Sequence, residues 1–203
     1  MTATAAILLS ALTLAFYDLA KKHSVRNNAV ISVLVLATLA GFLFYTAALG
    51  AVGRLACVCA VTPRQSLLIL VKSLLVGCSW TFVYYAMRAL PISIVAPLRA
   101  SAPFWTLAGA LVLFRESPSL VQGVGMACVV FGYLAFSLAG RTEGVNFLRH
   151  PGIRLVLLGT WLGAASSLYD KYLLQREGMN REMMQFWFSV LVAVLWQVKM
   201  PIW

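Results

Sequence analysis

Two aspartates lie near the ends of long apolar stretches, and each directly follows a tyrosine. The pairs are Tyr17 with Asp18 and Tyr169 with Asp170. A carboxylate in such a setting is costly to bury, so it is usually paired, lines a solute path or serves a coupling ion. Three roles are therefore open for both pairs: an interfacial ion pair, which Lys21 at helical spacing favours for Asp18, a gate, or a site for a proton or sodium ion.

Arg99 is the sharpest candidate for direct contact with a solute. It lies about eight residues into a predicted helix, or about 12 Å from the start of that helix. The spacing places Val95, Pro103 and Thr106 on the same face, and Pro97 and Pro103 leave backbone carbonyls without helical donors. This face is typical of a site for a polar or anionic solute. The alternative is an arginine that snorkels to the interface or pairs with an acid.

A second stripe at helical spacing combines a lysine, small residues and two aromatic rings with polar atoms. Its members are Lys72, Ser73, Gly77, Trp80 and Tyr84. Such a stripe predicts a cavity wall that stacks a substrate, but the small residues equally favour close helix packing. Lys72 is itself open to two interpretations, because it either contacts the substrate or snorkels towards the headgroups.

The composition is that of a membrane protein. The chain has 203 residues, of which 62% are hydrophobic and 11% charged, and its mean hydropathy is +0.88. Soluble domains average about 45–50% apolar and about 25% charged residues. The net charge of +10 comes from Lys and Arg placed mostly between apolar runs, where they anchor helix ends. We therefore expect a lipid bilayer as the main partner, and no nucleic acid.

Enzyme chemistry finds little support in the residues. The two histidines, His23 and His150, lie in predicted loops, and no glycine-rich phosphate loop occurs. The four cysteines form no disulfide framework, and Cys57 and Cys59 lack neighbours that would complete a metal site. We therefore expect no catalytic residues, no metal and no cofactor. Because a phosphate loop is missing, we also expect no ATP-driven pump.

The hydropathy pattern predicts an all-α polytopic protein with seven transmembrane helices joined by short connections. These helices are Thr4–Ala20, Ala29–Gly50, Ser66–Met87, Ile92–Phe114, Ser119–Leu138, Ile153–Leu174 and Met183–Val198. The segment Lys21–Asn28 is expected to be a polar loop.

An internal repeat would explain the recurring Tyr-Asp pairs. At the offset that places Asp18 on Asp170, Asn28 falls on Asn180, and an apolar run follows each. Five helices per unit would insert successive units in opposite orientations, as in many secondary transporters. We therefore expect a first five-helix repeat over residues 1–140, a connecting loop over 141–150, and two helices of an inverted second repeat over 151–203. The two Tyr-Asp pairs would then face opposite sides of the membrane.

The segment Ala89–Gly132 resembles the EamA-like family of the drug/metabolite transporter superfamily. An alanine-leucine pair precedes the fourth helix, Pro103 lies within it, and Glu116 closes it. The next helix carries Gln122-Gly123-Val124-Gly125, with Gly132 seven residues beyond Gly125. The ordered set of motifs carries the resemblance. Glu116 is expected to cap the following helix, and Gly125 and Gly132 to permit close helix contact.

The resemblance implies a function. It implies a secondary transporter that moves a small metabolite by alternating access, located as a multi-pass protein in a bacterial inner (plasma) membrane. The residue pattern adds a polar or anionic solute, contacted by Arg99, Trp80 and Tyr84. A coupling proton or sodium ion and a homodimer are further expected partners. The alternative is a membrane scaffold or partial subunit that does not transport and needs oligomerisation.

Overall fold

The computed structural model describes residues 3–115, 119–140 and 150–198, and in this part every regular element is a helix. The nine helices are α1 (Ala3–Asn27), α2 (Val30–Ala51), α3 (Leu55–Cys59), α4 (Pro63–Ala89), α5 (Ile92–Ala100), α6 (Ala102–Phe114), α7 (Leu120–Gly140), α8 (Pro151–Gln175) and α9 (Arg181–Val198). The predicted all-helical class is confirmed.

Among the described residues, four stretches are long and apolar enough to cross a bilayer. They are Thr4–Asn27, Val30–Ala51, Pro63–Ala89 and Ile92–Phe114, and a shorter apolar helix covers Leu120–Gly132. About 20 apolar residues are needed for one crossing, and each of the four stretches provides them. The count of seven membrane helices and the division into repeats stay predictions.

The first helix is longer than expected, so the predicted loop at Lys21–Asn28 is wrong. α1 continues to Asn27 because its polar end has partners that hold it in helical form. The Lys22 ammonium donates hydrogen bonds to the carbonyl oxygens of Met87 and, at 2.6 Å, Leu90. These carbonyls belong to the end of α4, where helical donors run out. Lys22 thus caps α4 and fixes the end of α1 beside it.

The fourth apolar stretch is kinked at Ser101, as its prolines predict. α5 ends at Ala100 and α6 begins at Ala102 with Pro103 in its first turn. Pro103 has no N–H to offer to the carbonyl of Arg99, and its ring clashes with that carbonyl in a straight helix. The kink separates Arg99 from the α6 residues expected on the same face.

Helices α4 and α8 run antiparallel in the tightest contact of the fold. The Ser79 hydroxyl donates a hydrogen bond to the Gly159 carbonyl at 2.6 Å. A Cβ at Gly159 would lie 2.7 Å from Val83 Cγ2 and 2.9 Å from the Ser79 carbonyl oxygen. Only glycine fits at this position, so α4 and α8 approach each other closely here.

The glycines of α7 behave differently. A Cβ added to Gly125 or Gly132 would meet no described atom within 4 Å. The close helix contact expected at these two glycines is not made within the described residues. The buried core instead lies between α2, α4, α5, α8 and α9.

Candidate functional site

The first cluster of charges joins α1 to α5 and consists of Asp18, Lys21 and Arg99. The Lys21 ammonium lies 2.9 Å from Asp18 Oδ1, and one guanidinium nitrogen of Arg99 lies 2.8 Å from both Asp18 oxygens. Lys21 and Asp18 are 9% and 18% exposed. The ammonium also lies 3.9 Å from the ring centroid of Tyr17 and 5.6 Å from that of Tyr84. One carboxylate therefore serves two largely buried cations, which leaves the cluster with one net positive charge.

The second ion pair joins α4 to α8 and consists of Lys72 and Asp170. The ammonium lies 2.8 Å from Asp170 Oδ1, and its side chain is only 5% exposed. It also lies 4.9 Å from the ring centroid of Phe188 on α9. Lys72 is therefore buried and paired, and it does not snorkel. The neighbouring Tyr169 hydroxyl donates to the Leu68 carbonyl at 3.3 Å, which holds this end of α8 against α4.

The two clusters lie at different levels along α4. Tyr84 marks the level of the first cluster and Lys72 that of the second, so they are separated by about 18 Å along the helix axis. The Tyr-Asp pair of α1 lies towards the end of α4, and that of α8 towards its beginning. The two Tyr-Asp pairs therefore lie near opposite ends of α4, and both the inverted repeat and a role of Asp18 and Asp170 as gates stay predictions.

An aromatic cavity of ≈ 230 Å³ lies between these two levels. Its walls come from α1, α2, α4 and α9. Seven of the lining side chains are aromatic: Tyr17, Phe42, Phe44, Tyr45, Trp80, Tyr84 and Phe188. The remaining lining residues are apolar or carry uncharged polar groups. No charged side chain of the described residues lines the cavity.

Each cluster contacts the aromatic cavity through a ring. Tyr17 and Tyr84 lie between the cavity and Lys21, and Phe188 lies between the cavity and Lys72. A cation held against an aromatic face is attracted by about 0.5–2 kcal/mol, depending on its solvation. Movement of either ion pair would therefore disturb a cavity wall directly.

The structure brings together some of the expected substrate-binding residues and separates others. Trp80, Tyr84 and Tyr17 line the aromatic cavity. Arg99 and Lys72 do not line it, because their charged groups are held by aspartates. The two residues expected beside Arg99, Pro103 and Thr106, belong to α6 and also lie outside the cavity lining. The Thr106 hydroxyl donates to the Ala102 carbonyl at 3.0 Å.

The polar groups of the aromatic cavity are neutral. The Thr38 hydroxyl donates to the Leu34 carbonyl at 2.9 Å, and the Ser189 hydroxyl donates to the Phe186 carbonyl at 2.6 Å. Both hydroxyls keep lone pairs that can accept a hydrogen bond. Gln185 is exposed at the wall and makes no side-chain hydrogen bond within the described residues. Its amide thus keeps both donor and acceptor groups for a ligand.

Sequence reasoning missed the contributions of α2 and α9 to the aromatic cavity. A weak signal was present, because Phe42 and Tyr45 are three residues apart, as are Gln185 and Phe188. This spacing places each pair on one helix face. Apolar membrane helices carry many such pairs, so the spacing alone did not separate a cavity wall from a lipid face.

Two further predictions concern the family motif and metals. Glu116 lies outside the described residues, so its expected capping role stays a prediction. Gly132 lies on a separate apolar groove between α1, α5 and α7. Within the described part of the chain, no three side chains among His, Cys, Asp and Glu come together to hold a metal ion.

Comparisons with known proteins agree with the helical membrane architecture. The model of the EamA-like transporter family matches residues 1–138, which cover α1 to α6 and nearly all of α7. Neither a search of curated proteins nor a search of solved structures returned a match. The family match covers more than half of the chain, and four helices are suited to cross a bilayer. The chain is thus an integral membrane protein that belongs to the EamA-like transporter family, of the drug/metabolite transporter superfamily.

Proposed function

We propose that this chain is a secondary transporter that carries a small polar or anionic solute through the aromatic cavity by alternating access. The main supporting observation is the position of that cavity between two ion pairs, each with a buried lysine, at different levels of α4. A carrier needs a site near the middle of the membrane and a closure on each side of it. The two clusters supply candidates for both closures.

The charges of the two clusters suit a gating role. Each cluster has an ion pair that joins two helices, Arg99 to Asp18 in the first and Lys72 to Asp170 in the second. In each cluster a lysine also rests on a ring that lines the cavity. Separating the partners would free the ring to move and would let water hydrate both charges. Removing two charges from water costs about as much as their attraction returns. Hydration of the separated partners can therefore compensate for the lost contact, so each ion pair can exchange between a paired and a separated state.

The tight antiparallel contact of α4 and α8 supports movement as rigid units. Because Gly159 accepts no larger side chain, these two helices have little freedom to slide past one another. Access would therefore change by displacing α1 or α9 relative to this pair. Both helices contribute to the cavity wall, through Tyr17 on α1 and Phe188 on α9.

An anionic solute, unlike a neutral polar one, would require Arg99, which does not line the cavity. Its guanidinium is bound to Asp18 here, so an anion would have to compete with that carboxylate. A coupling proton would bind Asp18 at the same step and release the arginine. The transporter proposal itself does not require either event.

Solute counterflow in proteoliposomes tests the transport proposal. Vesicles containing the purified chain are loaded with a mixture of unlabelled small metabolites and exposed to the same mixture labelled with carbon-13. Exchange into the vesicles is measured by mass spectrometry. We expect at least one solute to exchange faster than in protein-free vesicles.

Two tryptophan variants test whether the solute passes through the aromatic cavity. Trp80→Ala removes a cavity wall and should abolish the exchange. Trp161→Ala changes an outward-facing tryptophan that is 59% exposed, and it should leave the exchange intact. Absence of exchange for the unchanged chain would favour the scaffold alternative. Equal loss of exchange in both variants would show that the aromatic cavity is not part of the solute path.

A further inference from the structure

The aromatic cavity has a chemical character that restricts its ligand beyond the proposed transport function. A cavity of about 150 Å³ accepts benzene when its walls are apolar. At ≈ 230 Å³, this cavity has room for one ring with a small substituent. Trp80 and Tyr84 supply broad faces on which a planar ring can pack. The volume and the rings together favour a flat, single-ring molecule.

The surrounding charges disfavour an ionised ligand. The charged groups beside the wall are each bound to an opposite charge. Lys21 is paired with Asp18, and Lys72 with Asp170. Glu182, whose charge acts on Tyr45, is paired with Arg54. A charged ligand would find no counter-ion in the cavity wall without breaking one of these pairs. Burying an unpaired charge is far more costly than burying a hydrogen-bonded neutral group. The aromatic cavity is therefore suited to an uncharged ligand.

The polar atoms of the wall are complementary to N–H donors. Thr38 and Ser189 have each used their hydroxyl hydrogen on a backbone carbonyl, so both can only accept further bonds. Gln185 offers a carbonyl acceptor and an N–H₂ donor with no protein partner among the described residues. A ligand with a carboxamide would present the matching groups.

We infer that the aromatic cavity selects an uncharged planar ring bearing a carboxamide-like group, and that Gln185 determines this specificity. The inference rests on the proposed function, because it names the solute class of the same cavity. Gln185 is well placed for this role, since it is exposed at the wall and its replacement disturbs no packed side chain. The rings of the cavity would hold the solute ring, and the amide of Gln185 would bind its polar edge.

Three probes that share one ring distinguish a neutral, an anionic and a cationic ligand. Nicotinamide is neutral and carries a carboxamide, nicotinate carries a carboxylate, and 1-methylnicotinamide carries a fixed positive charge. Binding of each tritium-labelled probe to the full chain in lipid nanodiscs is measured at neutral pH. We expect nicotinamide to bind about tenfold more tightly than either charged probe. Gln185→Leu should weaken nicotinamide binding by about three- to tenfold, as expected for one lost hydrogen bond.

A second variant protects the test against misfolding. Gln185→Glu replaces the amide with a carboxylate in a side chain of the same size. The variant loses the N–H₂ donor and gains a negative charge, so it should weaken nicotinamide binding and strengthen 1-methylnicotinamide binding. A misfolded variant would lose all probes together and would not gain one. Tightest binding of nicotinate, binding of no probe, or variants indistinguishable from the unchanged chain would overturn the inference. Counterflow that is lost in Trp80→Ala would leave the transport proposal standing in each of those cases.

Discussion

Removal of the Asp18 carboxylate is the most severe single change that the first cluster allows. Asp18→Asn keeps the size of the side chain but removes the charge that holds two cations. Lys21 and Arg99 would then lie close together with no carboxylate among the described residues to replace it. The Lys21 ammonium would keep only its contacts with the rings of Tyr17 and Tyr84.

The structure sets the size of the expected effect. Breaking a buried ion pair by removing one partner costs about 3–5 kcal/mol. Arg99 is 29% exposed, so it can turn partly to water and recover some of that cost. We therefore expect Asp18→Asn to lower the free energy of unfolding by about 3 kcal/mol, the lower end of the range. The double variant Asp18→Asn with Lys21→Met should recover roughly half of this loss, because one stranded cation is gone.

Unfolding of the purified chain in mixed micelles, titrated with SDS and followed by tryptophan fluorescence, measures these values. Glu182→Gln is a matched control, since it makes the same carboxylate-to-amide change in a pair with Arg54 whose side chains are 35% and 57% exposed. Exposed pairs contribute less than about 1 kcal/mol, so this control should unfold almost as the unchanged chain does. If Asp18→Asn were as stable as Glu182→Gln, or if Lys21→Met made it worse, the reasoning about the first cluster would be refuted.

Three further variants test other contacts of the fold. Gly159→Val should destabilise the chain by about 1–3 kcal/mol because its side chain would overlap α4, whereas Gly123→Val, at a site with open space, should change stability little in the same SDS titration. Asp170→Asn should cost about 3 kcal/mol because it strands buried Lys72, and adding Lys72→Met should restore part of that loss in a double-variant comparison. Trp187→Phe removes the indole N–H that donates to a carbonyl of α3 at 3.0 Å, so the cysteines of α3 should react severalfold faster with a maleimide. An unchanged rate would show that this hydrogen bond does not hold α3 in place.

Much of the architecture was predictable from the residue pattern. The apolar runs predicted most of the long helices to within a few residues, because membrane helices need a fixed apolar length. The short helix α3 was missed. The kink near Ser101 followed from Pro97 and Pro103. The extension of α1 through Lys21 and Lys22 was not predictable, because it depends on carbonyls of α4 that lie far away in the sequence.

The candidate site was predictable only in part. Trp80 and Tyr84 were identified because aromatic and small residues share one face of their helix. The pairing of Arg99 with Asp18 could not be read from spacing, since it joins two helices whose relative rotation depends on the whole bundle. Phe188 and Gln185 were missed for the same reason, because a face of α9 becomes a cavity wall only once α2 and α4 are placed.

Accessibility of the aromatic cavity from the two sides of the membrane tests the central claim most directly. Ser189→Cys places a thiol on the cavity wall, in a background in which Cys57, Cys59, Cys78 and Cys128 are replaced by serine. A membrane-impermeant thiol reagent is then applied to reconstituted vesicles from the outside only or from the inside only. Alternating access predicts that the same thiol is labelled from both sides, at different rates. Labelling from one side alone, or from neither side, would contradict the account.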